Sequence, residues 1–141
     1  MSYNKEIENL LSIKNIQKTA MRILVLQFFL EQKSAISLPQ LEENFYYSER
    51  TTLYRTLKTF EDKALVHKIN DGTSSTKYAI CKTTCEANDH TDIHPHFYCE
   101  KCETTTCVNS ILIPKLSLPN FKISSSELII KGICDVCNKV A

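Results

Sequence analysis

The run His94-Pro95-His96-Phe97-Tyr98-Cys99-Glu100-Lys101-Cys102 places two imidazoles and two thiols within nine residues. A second Cys-x-x-Cys, Cys134 to Cys137, is separated from it by 31 residues. A Cys-x-x-Cys turn converges two thiolates on one ion, and two such turns supply the four soft ligands of a closed tetrahedral zinc site. The plainer alternative is two redox-active or free-thiol pairs. Two pairs in so short a chain favour metal. His94 and His96 have no place in a tetrahedron that four thiolates already close, so they imply a second metal position beside the first.

The elements that hold these residues must come from 141 residues, of which 43% are hydrophobic. That is enough for one domain or two small ones. Two halves of about 70 residues each would have marginal cores, and a metal clamp would support one of them. The seven cysteines are odd in number. The charged N-terminus does not resemble a signal peptide, and no apolar run approaches membrane-spanning length. Thiols kept reduced for metal, in a soluble cytoplasmic protein with no membrane partner, fit better than a disulfide framework. Net charge is only +1, but residues 1–81 carry 11 basic side chains against 9 acidic, and residues 82–141 carry 6 against 7. All three arginines, Arg22, Arg50 and Arg55, fall in the first part.

The spacing of Ile7, Leu10 and Leu11 predicts a first helix over Lys5–Ile13. Thr19 caps a second beginning at Ala20, with Met21, Leu24, Val25 and Phe28 on its inner stripe and Ile23, Leu26 and Leu30 widening it. Arg22 lies in its first turn, where a cation opposes the helix dipole. Ser37 caps a short third helix that tolerates Pro39 and turns Leu38, Leu41 and Phe45 inward. Ser48 opens a fourth, Glu49–Lys63, whose apolar face is Leu53, Leu57, Phe60 and Ala64. Leu65–Ile69, a turn at Asn70-Asp71-Gly72, and Lys77–Ile80 read as a hairpin. Helices, a turn, a further helix and a hairpin make a winged helix-turn-helix. In that arrangement the last helix enters the major groove of double-stranded DNA. Thr51, Thr52, Tyr54 and Arg55 have chemistry suited to phosphates and base edges. Lys14 and Lys18 are candidate phosphate contacts. The plainer reading of the same helix is an amphipathic element with a solvated polar face.

The polar stretch 83–92 is expected to be a hinge between a DNA-binding domain, 1–82, and a metal-binding domain, 93–141. In the second domain Thr104–Val108 and Leu128–Ile133 read as strands, and Pro114 and Pro119 keep any helix between 111 and 118 short. The fold class is therefore α+β, a winged helix-turn-helix followed by a small α/β domain whose strands can pair across a two-fold axis. Only two glycines occur, so no phosphate-cradling loop is available. No nucleophile–base–acid set stands out either, and neither an enzyme nor a small-molecule substrate is expected.

The chain resembles the ferric uptake regulator family of dimeric, metal-sensing repressors, over about residues 10–138. The resemblance is carried by Thr19-x-x-Arg22, Thr52-Leu53-Tyr54-Arg55-Thr56-Leu57, Leu65-Val66-His67-Lys68, His94-x-His96-x-x-Cys99-x-x-Cys102 and Gly132-Ile133-Cys134-x-x-Cys137. It implies a homodimer in which Tyr54 and Arg55 meet the major groove and Arg22 approaches the minor groove. It also implies one structural zinc per chain on Cys99, Cys102, Cys134 and Cys137. Glu103 stands where the family often has Gly, and the second domain is shortened around Pro114 to Asn120.

Two positions that carry regulatory ligands in iron- and peroxide-sensing relatives are Ala35 and Ala79 here. Ile93, Pro95 and Ser126 occupy further accessory positions. The zinc-sensing, or zinc uptake regulator, branch uses a Cys past the wing, a ligand at the wing's entry and the H-x-H pair, which correspond to Cys81, His67, His94 and His96. A thiolate with imidazoles favours tetrahedral zinc, whereas carboxylate-rich sites suit ferrous iron and manganese. The expected regulatory zinc ligands are thus His67, Cys81, His94 and His96. Cys107 or His90 are alternatives, and Cys85 is a bystander. The resulting expectation is a zinc-responsive repressor of metal-uptake genes. An iron- or manganese-responsive regulator, or a thiol-redox or peroxide-responsive one using Cys81, Cys85 or Cys107, are the rivals.

Overall fold

The computed structural model describes residues 2–32, 34–80, 95–108, 110–111, 113–114, 116–124 and 126–139. It divides into two compact units, Met1–Asp92 and Ile93–Ala141. The expected hinge at 83–92 lies outside the described residues.

The first unit runs α1 (Ser2–Ile13), α2 (Ala20–Glu31), β1 (Ile36–Ser37), α3 (Leu38–Asn44), α4 (Arg50–Asp62), β2 (Val66–Ile69) and β3 (Lys77–Ile80). Its sheet is antiparallel in the order β1-β3-β2, with His67 opposite Ala79 and Ile36 opposite Tyr78. This is a winged helix-turn-helix. The two-residue β1 has no sequence signal of its own, because strand periodicity cannot register over two positions.

Local chemistry explains most boundaries. The Thr19 hydroxyl accepts the Arg22 backbone N–H at 3.2 Å, starting α2 at the expected residue. Ser37 and Gln40 form a reciprocal capping box at the head of α3, with Pro39 in its first turn. The start of α4 differs from expectation. Its N-cap is Glu49, which makes no side-chain cap bond, while Ser48 stays in the preceding turn and donates its N–H to the Phe45 carbonyl at 2.9 Å.

The core gathers Ile7 and Leu11 of α1, Val25, Leu26 and Phe29 of α2, Leu41 of α3, and Leu53, Leu57 and Phe60 of α4. Each such buried side chain stabilises the unit by about 1.5–3 kcal/mol. The buried face of α4 is the expected one. That of α2 is rotated: Phe29 is buried and Leu24 is 40% exposed. Nearly every position of α2 is apolar, so its periodicity cannot select a face.

With so few glycines, other residues fill the left-handed positions that end helices. Asn15 (φ 57°) follows α1 and Ala64 (φ 59°) follows α4. The Leu65 N–H reaches back to the Phe60 carbonyl at 2.8 Å, closing α4 in the manner usual for glycine.

The wing is tied where its loop leaves the strands by an ion pair that sequence reading did not find. Lys77 Nζ lies 2.6 Å from Asp71 Oδ2, with the aspartate side chain fully buried and the lysine nearly so. Asp71 Oδ1 also accepts the Thr73 N–H at 3.0 Å. Removing one partner of a buried pair leaves the other charge uncompensated. Asp71→Asn is therefore expected to destabilise the unit by about 3 kcal/mol. Chemical denaturation measures this directly, and a loss below about 0.5 kcal/mol, the usual range for surface changes, would show that the pair is not a structural clasp.

The second unit comprises β4 (His96–Cys99), β5 (Thr105–Cys107), β6 (Ile129–Gly132) and α5 (Asp135–Lys139). The sheet order is β5-β4-β6, antiparallel for β4/β5 and parallel for β4/β6. The described residues between 110 and 124 form turns, a bend and irregular chain with no helix, as Pro114 and Pro119 favour. The helix α5, built on the second Cys-x-x-Cys, was not expected. The core cluster above draws on the first unit only. In the second, Leu116, Leu118, Phe121, Ile133 and Val136 are exposed. A unit with so little buried apolar surface depends on other restraints.

Candidate metal centre and nucleic-acid face

The parallel pairing of β4 with β6 builds the metal centre. It sets Cys99 opposite Gly132, so Cys134, two residues beyond Gly132, arrives beside the first Cys-x-x-Cys turn. The Glu100 N–H donates to the Gly132 carbonyl at 2.7 Å and stitches the turn to the end of β6. The Glu103 N–H returns to the Cys99 carbonyl at 2.8 Å, which folds Cys102 back under β4. Cys137 follows on the first turn of α5.

The sulfurs of Cys99, Cys102, Cys134 and Cys137 all lie within 4.8 Å of one another. Cys102 Sγ and Cys134 Sγ are 3.9 Å apart. Zinc–sulfur bonds of about 2.3 Å in a tetrahedron put sulfurs about 3.8 Å apart. The cluster therefore fits one tetrahedral ion, and these cysteines are free of disulfides. Backbone N–H groups already point at the sulfurs: Cys102 and Cys134 each donate to Cys99 Sγ at 3.4 Å, and Cys137 donates to Cys134 Sγ at 3.5 Å. The donors from Cys102 and Cys134 hold the Cys99 thiol down to about 6. The Thr104 hydroxyl lowers Cys102, while the adjacent Cys134 thiol pushes Cys137 up to about 12. Crowded thiols resist deprotonating together, and a bound cation relieves that repulsion.

On the first unit, α4 separates two chemistries. Leu53, Leu57 and Phe60 face the core, while Thr51, Thr52, Tyr54 and Arg55 are exposed, as is Lys58. The buried Thr56 is satisfied internally, donating to the Thr52 carbonyl at 2.9 Å. The exposed set is the group read from sequence as the DNA-reading face.

The sequence profile of the ferric uptake regulator family matches residues 14–131. The chain belongs to the ferric uptake regulator family. Members are metal-responsive transcription regulators rather than enzymes. No curated protein sequence matches. Among solved structures the fold is similar to a zinc uptake regulator complexed with zinc and DNA, at a TM-score of 0.63 and 19% identity over 99% of this chain and 97% of that one. It is similar to a zinc-bound manganese uptake regulator, at 0.62 and 15% over 91% and 98%. It is also similar to the Helicobacter pylori ferric uptake regulator, at 0.56 and 13% over 97% and 92%. A winged-helix unit followed by a dimerisation unit is the architecture these relatives share.

Against the family pattern, the departure at Glu103 acquires a physical meaning. Its φ is 60°, the left-handed conformation that glycine adopts freely, at a cost of about 1 kcal/mol for a side-chain-bearing residue. Arg22 is held locally: its Nη1 donates to the Gln17 carbonyl at 2.7 Å, so it braces the segment before α2. Lys18 is exposed and 3.6 Å from Glu8. Lys14, the other expected phosphate contact, is largely buried, with only 7% of its surface exposed. Packing of the α1–α2 connection decides this, which sequence spacing does not reveal.

Of the expected regulatory ligands, His67 sits half-buried on β2, and His96 sits half-buried on β4 directly opposite Cys107 on β5. Directly opposite side chains share a sheet face with Cβ atoms about 5 Å apart, so Cys107 is better placed toward His96 than sequence spacing alone suggested. Cys81, His94 and His90 lie outside the described residues, as does Cys85. Ala79, at the position where iron-sensing relatives are expected to carry an acid, is opposite His67 on β3 and buried.

Proposed function

We propose that this family member is a zinc-responsive, homodimeric repressor that binds operator DNA through α4 and controls metal-uptake genes. The observation that carries the DNA reading is the exposed row Thr51, Thr52, Tyr54 and Arg55 on a helix whose opposite face is fully buried. Rigid seating of α4 lets these side chains present fixed chemistry to a groove. One structural zinc per chain would occupy Cys99, Cys102, Cys134 and Cys137, a purely thiolate set that suits zinc.

The regulatory metal would be held by His67, Cys81, His94 and His96, with Cys107 replacing one of the histidines as the alternative. Support for zinc here comes from the donor types: sulfur and imidazole in place of the carboxylates that ferrous iron and manganese favour. Alanine at positions 35 and 79 supports the same choice. Zinc bound at these ligands would make DNA affinity follow zinc occupancy, as a population shift toward the DNA-binding state.

The DNA face is tested by selecting duplexes from a random pool with zinc-loaded protein and titrating variants on the selected site. Arg55→Ala and Tyr54→Ala should each weaken binding by about 1–3 kcal/mol, without changing metal content or oligomeric state. Wild-type affinity in both variants would mean that α4 does not read DNA.

A further inference from the structure

The turn between α3 and α4 carries two tyrosines that neither the fold nor the metal centre uses. Tyr46 is 84% exposed and Tyr47 is 64% exposed. They are not loose side chains. Tyr46 packs edge-on against Tyr47 with ring centroids 5.7 Å apart, and Tyr47 packs edge-on against Phe45 at 6.1 Å. Phe45 is buried and meets Phe28 of α2 at 5.9 Å. Four rings thus run from the core to the surface and end in two phenol groups. Edge-to-face contacts of this kind are worth about 0.5–1.5 kcal/mol each, enough to hold the outer rings in place.

Their position gives them a use. A helix-turn-helix enters the major groove by the early residues of its second helix, so the turn just before that helix runs along the wall of the groove. The phenol hydroxyl is a neutral donor suited to a phosphate oxygen, and the ring covers deoxyribose. Of the acidic side chains flanking the turn, Glu42 is neutralised in part, its Oε1 lying 3.3 Å from Arg50 Nε, while Glu43 and Glu49 are exposed to solvent and counter-ions. We propose that Tyr46 and Tyr47 form a sequence-independent contact with the sugar-phosphate backbone of duplex DNA, flanking the base-reading face of α4. This rests on the DNA-binding reading above and extends it to residues outside the recognition helix.

The proposal separates cleanly from base reading, because a neutral contact adds affinity without releasing counterions. The experiment titrates zinc-loaded full-length protein onto the selected duplex and onto an unrelated duplex, across a range of salt. It compares wild type, Tyr46→Ala/Tyr47→Ala, Tyr46→Phe/Tyr47→Phe and Arg55→Ala. The double alanine variant should lose about tenfold on both duplexes, as expected for hydrogen bonds to a charged acceptor, with an unchanged slope of affinity against salt. The double phenylalanine variant keeps the ring packing on Phe45 and should lose part of that affinity on both duplexes, so a folding defect in the alanine variant cannot mimic the result. Arg55→Ala should lose affinity chiefly on the selected duplex.

Wild-type affinity in both tyrosine variants beside a weakened Arg55→Ala would overturn this proposal alone. A loss confined to the selected duplex would also overturn it, because the tyrosines would then be reading bases. Wild-type affinity in all three variants would overturn the DNA face together with it.

Discussion

Cys99→Ser is expected to yield protein that lacks both the structural metal and a folded second unit, and with them the dimer. The effect is large because this unit has little else to hold it. Its sheet is three short strands, its connection from β5 to β6 contains no helix among the described residues, and several of its large apolar side chains face outward. The tetrathiolate joins the turn after β4 to the start of α5, two points 35 residues apart in sequence that approach within one hydrogen bond. Metal binding of this kind contributes apparent free energies of about 10–16 kcal/mol in small zinc domains at neutral pH. Serine offers no thiolate, and it replaces the sulfur that accepts two backbone N–H groups with a neutral hydroxyl on a shorter bond. Cys134→Ser should behave likewise. Metal analysis of the purified variants, with sedimentation to read oligomeric state, measures both outcomes. A folded, metal-free dimer would contradict this role for the four cysteines.

The second large effect concerns the regulatory metal. Cys81→Ser should keep the structural metal, the fold and the dimer, because Cys81 belongs to neither Cys-x-x-Cys pair. It should nevertheless need much more free zinc to bind operator. Loss of an outer-shell partner already costs about 10–100-fold in metal affinity, and loss of a direct thiolate ligand should cost at least as much. His67→Ala is expected to act in the same direction. The two substitutions separate signal from scaffold: Cys99 variants lose everything, whereas Cys81 variants lose only sensitivity.

Which features could be read from the sequence follows from how local their causes are. The caps at Thr19 and Ser37, the α4 core face and the wing strands depend on residues a few positions apart, and all could be read in advance. The tetrathiolate was legible because Cys-x-x-Cys is local and its repetition is rare. What was missed depends on contacts distant in sequence, or on several positions that local rules cannot rank. In α2 a nearly continuous apolar sequence hid the choice between Leu24 and Phe29. The burial of Lys14 is set by packing around the α1–α2 connection. The Asp71–Lys77 pair needs the hairpin to form before the two side chains meet. Glu103 as a left-handed residue was visible only as a departure from glycine, and its φ supplies the reason. The pairing of His96 with Cys107 required the β4/β5 register. The aromatic doublet Tyr46-Tyr47 was present in the sequence, but only its exposure on a rigid turn marks it as a surface for a partner.

Whether zinc occupancy switches operator binding is read from operator affinity against buffered free zinc, ferrous iron and manganese, for wild type and Cys81→Ser. Zinc should activate wild type at a lower free concentration, relative to cellular levels, than either other metal. The zinc curve of Cys81→Ser should be displaced to higher concentration by at least about tenfold. Activation by ferrous iron or manganese ahead of zinc on that scale, or a Cys81→Ser curve that overlays wild type, would contradict the zinc switch.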